Sequence, residues 1–485
     1  MWTTTRESKV SAAFFLSASL LGCSGAEDPS IEEAPDQYLA SGFTLTRVEA
    51  LQALAVPLVE NEVAVSTTAT PIVRGYPTAL RVGGILSGEA SARSKNIVAV
   101  AIFEEPGGEK FVRVSPAHAP QDYAVPSLAS TWQVPLEATD LREGTKFRVV
   151  LADADKGKGT SELARFPRDA SSLDLASQGT GSLELMLVPF RWVADRSNRL
   201  PDMGEKQIAL YRSLFERVYP ATKLNITIHE PIDAPTRGSF SAYNDALLDL
   251  RSKEDLPGRV YVHGLVAPAA TFEAFCSGGC TTGLGYVVDD DSDGSTRVSS
   301  GVGFTGIDSG WTMVHEVGHQ HGREHAPCGV SGSDRAFPQR DGTIGLWGYD
   351  RSTPTMLNVR SHDFMSYCED EWVSQYTWAG LLTRIQRVGS PVQAREAREL
   401  APKTRVRLVH REHGRVTFVG EPFDLRLPAS SSRELVTLEY EGGTRAVEAL
   451  TVLRTGEADV EDLVVPAVGV RAIVAHGERV RFEAP

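Results

Sequence analysis

The run His315-Glu316-Val317-Gly318-His319-Gln320-His321-Gly322-Arg323-Glu324-His325 constrains the fold more tightly than any other part of the chain. Histidines four residues apart lie on successive turns of one helix face, so a helix here brings two imidazoles to a common point. Asp308-Ser309 offers an N-cap for that helix, and Trp311, Val314 and Val317 give it an apolar side to bury. Gly322 can adopt the left-handed backbone that ends a helix, after which the chain can return His325 toward the first two histidines. Three imidazoles around one ion suit zinc, which takes His nitrogen at about 2.0–2.1 Å and in catalytic sites leaves a fourth position to water. Glu316 leaves the helix beside these ligands, where it can serve as the general base for a metal-activated water. His321 points to roughly the opposite helix face, so it is expected at the surface or behind the ligands and not on the ion.

A chain of 485 residues is too long for one ordinary core, and about 150 residues per domain suggests roughly three. Hydrophobic residues at 41% and charged residues at 23% exclude a largely disordered or multi-span membrane chain. The net charge of −14, with no local basic patch, argues against a nucleic-acid partner.

Residues 1–22 carry Arg6 and Lys9 followed by an apolar stretch from Ala12 to Leu21, too short to span a bilayer, and read as an export signal. Its end, Leu20-Leu21-Gly22-Cys23, resembles the lipobox of bacterial lipoproteins, which implies lipidation of Cys23. The chain is then expected to be exported and held at the cell envelope through a lipid anchor, with the outer membrane as the first expectation, or to be extracellular. Beyond Cys23 an even number of cysteines is left, and in an exported chain these imply disulfides. Cys276 with Cys280, and Cys328 with Cys368, are favoured among the possible pairings: the first closes a short Ser-Gly-Gly loop and the second flanks the histidines.

Residues 23–41, rich in Glu, Asp, Pro and Ala, read as a flexible linker. From 42 to 178, short β-rich runs between Gly, Pro and Ser clusters predict an all-β, sandwich-like domain. From 179 to 390, strand-like runs alternate with helical patterns and predict an α+β layer of about five strands. Its expected strands begin near Leu183, Leu224, Arg259, Gly285 and Val298; its helices carry Leu214, Leu247 and Leu381. Residues 391–485 return to β-type runs and predict a small C-terminal β domain.

The pattern at residues 315–325 resembles the metzincin clan of zinc endopeptidases, whose motif HExxHxxGxxH is matched by His315, Glu316, His319, Gly322 and His325. The resemblance implies a methionine-containing turn beneath the metal, and Ser361 to Cys368 supplies one, with Met365 as its apolar floor. It also implies that Tyr367, two residues further on, helps stabilise the transition state. By the same resemblance, the catalytic layer is a mixed five-stranded sheet with a zinc helix, and Gly283 to Val288 is an exposed edge strand on which a peptide substrate could pair. The implied function is a secreted or surface-anchored zinc-dependent endopeptidase acting on proteins or peptides with one catalytic Zn2+. Two other classes are compatible with the residues: a surface-binding lipoprotein whose zinc is structural, and a zinc amidase acting on cell-wall peptides.

The match has departures. Ala326 follows the third histidine, where several subfamilies place a characteristic residue, and no cysteine lies between Cys23 and Cys276 to block the zinc, so subfamily and latency stay open. Asp289, Asp291 and Asp293 before Gly294 are similar to the start of a calcium loop, but Ser300 stands where such a loop needs Glu. A solvated acidic hairpin is therefore expected there, and Ca2+ is only a secondary cofactor candidate.

Overall fold

The computed structural model describes residues 29–65, 69–86, 96–119, 121–155, 159–389, 402–427, 432–475 and 477–482. The export signal at 1–22 and Cys23 lie outside these described residues. Among them, no helix is long and apolar enough to cross a membrane.

The β-rich runs of the N-terminal third form two sheets that share one core. In one, Phe43–Leu51 lies between Ala55–Glu60 and Thr78–Leu86; in the other, Ile97–Glu104 lies between Lys110–Val114 and Lys146–Asp153. Trp132 joins the two: its indole donates to the Ile97 carbonyl at 2.8 Å and meets the Phe43 ring edge-on. The linker expected over 23–41 is corrected for its described part. Pro29–Glu33 is a short helix, Tyr38–Leu39 pairs with Lys146–Asp153, Ile31 and Leu39 are buried, and Asp36 pairs with Arg148. The apolar side chains at 31, 38, 39 and 40 anchor a segment whose acidic, proline-rich composition suggested a tether.

The central layer is a mixed sheet of five principal strands: β1 (Ser182–Arg191), β2 (Lys223–Ile228), β3 (Val260–Val266), β4 (Gly283–Gly285) and β5 (Val298–Val302). They lie in the order β2-β1-β3-β5-β4, all parallel except β4, which runs antiparallel to β5 at the edge. Ile232–Asp233 adds a short parallel pairing at the end of β1. Helices α1 (Glu205–Val218), α2 (Phe240–Lys253), α3 (Ile307–Gln320) and α4 (Gln375–Val388) pack around it.

Alternation along β1 assigns the faces. Leu183, Leu185 and Leu187 join a core with α1, α3 and α4, whereas Val188 and Phe190 join a second core with Tyr243, Leu247 and Leu248 of α2. The first core is continuous with that of the N-terminal sheets, and the second is completed by Val406, Leu408, Phe423, Leu425, Leu453 and Val464 of the C-terminal segment. That segment is an antiparallel eight-stranded sheet, nearly closed and barrel-like.

Indoles pin the N-terminal layer in place: Trp372 donates to the Ala53 carbonyl at 2.7 Å and Trp378 to the Pro71 carbonyl at 3.1 Å. Strand-like bonds run beside them, from Ala55 N to Trp347 O and from Tyr349 N to Ala53 O. Trp372→Ala is expected to lower the urea-unfolding free energy by about 3–5 kcal/mol, because it empties a buried indole site and removes one of the two hydrogen bonds to the Ala53 carbonyl. A loss no larger than that of an exposed substitution would show that the two layers do not fold as one unit.

Candidate metal centre

The start of α3 is set from outside the helix. Gly306, with φ 126°, is its N-cap, and the Gln207 amide of α1 clamps that residue, donating to its carbonyl and accepting from its N–H, both at 2.9 Å. The expected Asp308-Ser309 cap is thus corrected: both residues are already helical, and Asp308 places its charge in the first turn, where the helix dipole favours it. Every residue from Met313 to Gln320 is buried. At the far end Gly322 has φ +75°, its N–H bonds to His319 O at 2.8 Å, and Arg323 N–H bonds to Gly318 O at 3.1 Å. Those two bonds are the ones a left-handed glycine terminator makes, and they turn the chain so that His325 comes back over the helix.

The three imidazoles converge. His315 Nε2 stands 3.2 Å from His319 Nε2 and 3.1 Å from His325 Nε2. His315 Nδ1–H donates to the Phe364 carbonyl at 2.8 Å and His319 Nδ1–H to the Arg323 carbonyl at 2.6 Å. These acceptors fix the tautomer in which each Nε2 carries a bare lone pair. Lone pairs facing one another repel unless a cation lies between them. Donors on a tetrahedral ion at about 2.05 Å stand about 3.3 Å apart, close to the spacing of these nitrogens. Burial holds all three rings neutral: it pulls His315 down to about 4 and His319 and His325 well below the ordinary value. His315, His319 and His325 therefore form a group that could bind a metal ion.

Beneath the histidines the chain folds into a tight turn. A Cβ at Gly318 would lie 2.4 Å from Met365 Sδ, so the glycine inside the helix motif makes room for the methionine. Asp363 ties the turn, accepting from Met365 N–H at 2.8 Å and from Ser374 N–H at 2.9 Å. Met365 O accepts from Ala326 N–H at 2.9 Å, and Tyr367 N–H donates to Cys328 O at 3.1 Å, next to the Cys328–Cys368 disulfide. The loop after His325 and the methionine turn are one braced unit. Cys276 and Cys280 form the other disulfide. The Tyr367 ring lies 4.8 Å from that of His325, and its hydroxyl donates to the Glu457 carboxylate.

Glu316 is buried beside the ligands, and burial first, then the nearby Glu457 carboxylate, raises its pKa well above the usual range. Edge strand β4 packs against it with no space to spare: a Cβ at Gly283 would fall 2.6 Å from Glu316 Oε1, and one at Gly285 2.7 Å from Glu316 O. The positioning role of Gly283 and Gly285, like that of Gln207, Asp363 and Glu457, escaped the sequence reading. Only the Gly-Leu-Gly run at β4 was a usable signal.

Of the two places expected for His321, the structure gives the one behind the histidine group: it is fully buried, stacked on Tyr261 at 4.1 Å and bonded to Val317 O, because the opposite helix face meets the sheet and not solvent. Two further expectations are corrected. The acidic run is no free hairpin: Asp291 pairs with Arg384 and Arg387, Asp289 pairs with Arg454, and Asp293 is buried. The β4 edge is not exposed either, since residues 283–288 are all buried and Thr455 of the C-terminal sheet bridges Tyr286.

The Peptidase M66 family matches residues 283–377, from β4 through α3 and the methionine turn into α4. No curated protein matches the chain. The family match supports a peptidase of metallopeptidase type, with the three histidines as residues that could hold the metal.

In the chelated protein these imidazoles make stability depend on acid. Burial also takes His263 down to about 3. The unfolded chain binds protons below the ordinary value of 6.5 whereas the folded chain does not until His315 titrates near 4, so stability is full above 6.5 and falls between those values. Each such ring contributes a slope of up to about 1.4 kcal/mol per pH unit. The buried Glu316 and Asp245 carboxyls, held well above their usual range, oppose this slope, so the comparison is between chelated proteins. The urea midpoint of His315→Gln is expected to fall less steeply across that window than the parent's, and equal slopes would contradict the neutral assignment.

Proposed function

We propose that the chain is an exported, zinc-dependent endopeptidase, anchored to the cell envelope through a lipid on Cys23. The observation that carries the peptidase reading is the convergence of three imidazole Nε2 atoms beside a buried Glu316 carboxyl, inside the segment that matches Peptidase M66. Nitrogen donors only, in a dry pocket of tetrahedral spacing, favour zinc among the divalent ions. A zinc ion held by His315, His319 and His325 would supply Lewis acidity toward water and the scissile carbonyl.

The chain's own residues supply the remainder. Glu316, set next to the first ligand and held by Gly283 and Gly285, takes the proton from the attacking water and returns it to the leaving nitrogen. The Tyr367 hydroxyl, on the His325 side of the site, donates to the oxygen on which charge develops. Strand β4, once its edge is freed of the C-terminal segment that covers it, would offer main-chain groups for an extended peptide, which fits a polypeptide substrate better than a compact one. The resemblance to metzincins supports the roles of Met365 and Gly322, the first as floor and the second as the turn that delivers His325.

Glu316→Gln is expected to lower kcat on peptides by about 10²- to 10⁴-fold while zinc content and thermal stability stay those of the parent. Cleavage at the parental rate in that variant would remove Glu316 from the mechanism. Loss of zinc binding in the parent after mild chelation and reloading would sink the zinc assignment itself. For the anchor, Cys23→Ser expressed in a bacterial host is expected to shift the protein from the detergent phase to the aqueous phase; equal partitioning of the two forms would reject lipidation.

A further inference from the structure

The residues proposed to do chemistry are closed off from solvent: relative exposures are 8% for His315, 6% for Glu316, 1% for His319 and 2% for His325. An endopeptidase has to admit an extended polypeptide to such residues. What stands in the way is a segment of the C-terminal sheet, the tip joining its strands Arg445–Arg454 and Val460–Pro466.

Arg454, Thr455 and Gly456 run antiparallel to the β4 edge. Val287 N–H donates to Arg454 O at 2.9 Å, Gly456 N–H donates to Gly285 O at 3.1 Å, and Thr455 bridges Tyr286 between them. This is main-chain addition to a sheet edge, the mode in which a peptide substrate would bind there. Gly456 then lies directly on the metal ligands: a Cβ built on it would fall 2.0 Å from His319 Nε2 and 2.4 Å from its Cε1. The next residue, Glu457, accepts the hydrogen bond of the Tyr367 hydroxyl.

We propose that this tip is a built-in occupant of the substrate cleft, which lies on the edge strand as a substrate would and keeps the site latent until it swings away. The proposal rests on the metallopeptidase reading of the site. It also supplies a blocking device for a chain with no cysteine placed to cap the metal.

The packing marks where the tip can part from its base. Apolar contact with the catalytic layer reaches Leu453 and Val464, which lie in the core shared with α2. Beyond Leu453 the attachments are polar: Arg454 pairs with Asp289 and Glu324, both at 2.7 Å, with its side chain 40% exposed. Exposed pairs of this kind are worth little each, so the tip is held far less firmly than the sheet that carries it. A partner or polypeptide that offers its own strand to β4 competes with two main-chain hydrogen bonds, the Tyr367–Glu457 hydrogen bond and two weak ion pairs, and leaves the core intact.

The test uses the full zinc-loaded chain, the variants Arg454→Glu and Gly456→Ala, and a short peptidyl hydroxamate as a probe of cleft access. Charge reversal sets Glu at 454 against Asp289 and Glu324, and the alanine methyl has no room beside His319. Calorimetry is expected to show the probe bound about tenfold tighter or more to either variant with its zinc retained, and amide exchange at Val287 is expected to speed up with it. Probe affinity equal to the parent's in the zinc-retaining variants, or faster Val287 exchange without tighter binding, overturns the latch. Tighter probe binding in a variant that hydrolyses no peptide keeps the latch and rejects the peptidase reading instead.

Discussion

Three imidazole Nε2 atoms at one point, those of His315 and His319 fixed as bare lone pairs, form an arrangement in a dry interior that a protein cannot hold without a reason. Neutral imidazole nitrogens about 3 Å apart repel one another, and burial denies them the water that would otherwise separate them. Each ring is nevertheless fixed: His315 by the Phe364 carbonyl, His319 by the Arg323 carbonyl, and His325 by the turn that begins at Gly322. A divalent cation converts that repulsion into attraction. The surrounding shell then reads as a set of constraints that keep the donors aimed while the site is empty or being loaded.

The fold supplies those constraints from several directions. Gln207 of α1 fixes where the histidine-bearing helix α3 starts, Tyr219 donates to Val314 O midway along it, and the methionine turn closes the underside through Asp363. The N-terminal sheets share a core with α1, α3 and α4, so they buttress the helix from behind and do not form a separate module. The C-terminal sheet does the same for α2 and the opposite face. A sheet buried by these layers gives the site a rigid base, which a site that joins helix α3 to loop residues at 323–326 and 361–368 needs.

Much of this was legible in the sequence because it is local. Spacing alone placed His315 and His319 on one helix face and Gly322 at its end, since i, i+4 geometry and a left-handed glycine depend on few neighbours, whereas the turn at Met365 came from the resemblance to metzincins. The apolar run of β1 and the stripes of α1 and α4 were equally local. What was not legible depends on contacts between distant segments. The closeness of Gly283 and Gly285 to Glu316 exists only after β4 is laid on α3, and the cap at Gly306 only after α1 arrives. His321 was left between the surface and a place behind the ligands because periodicity tells which residues share a face but not what covers the other one. The segment from 29 to 41 was misread because composition averages over Ile31 and Leu39, the side chains that decide its fate.

Dryness and access make opposite demands on this site. The imidazoles stay neutral and aimed because water is kept out, and the same burial drives the Glu316 carboxyl toward its protonated form, with Glu457 adding to the effect. A peptide substrate laid along β4 would restore the exclusion of water that the Arg454–Gly456 strand now provides, and it would do so with main-chain groups of the same kind. It would not bring the Glu457 carboxylate, whose departure both frees the Tyr367 hydroxyl and removes a negative neighbour from Glu316. Exchange of the tip for a substrate therefore keeps the metal ligands sheltered while releasing the two groups assigned to proton transfer and charge stabilisation. A rigid wall in the same place would shelter the ligands but could never release those groups, which is why a polar tip on an apolar base suits this cleft.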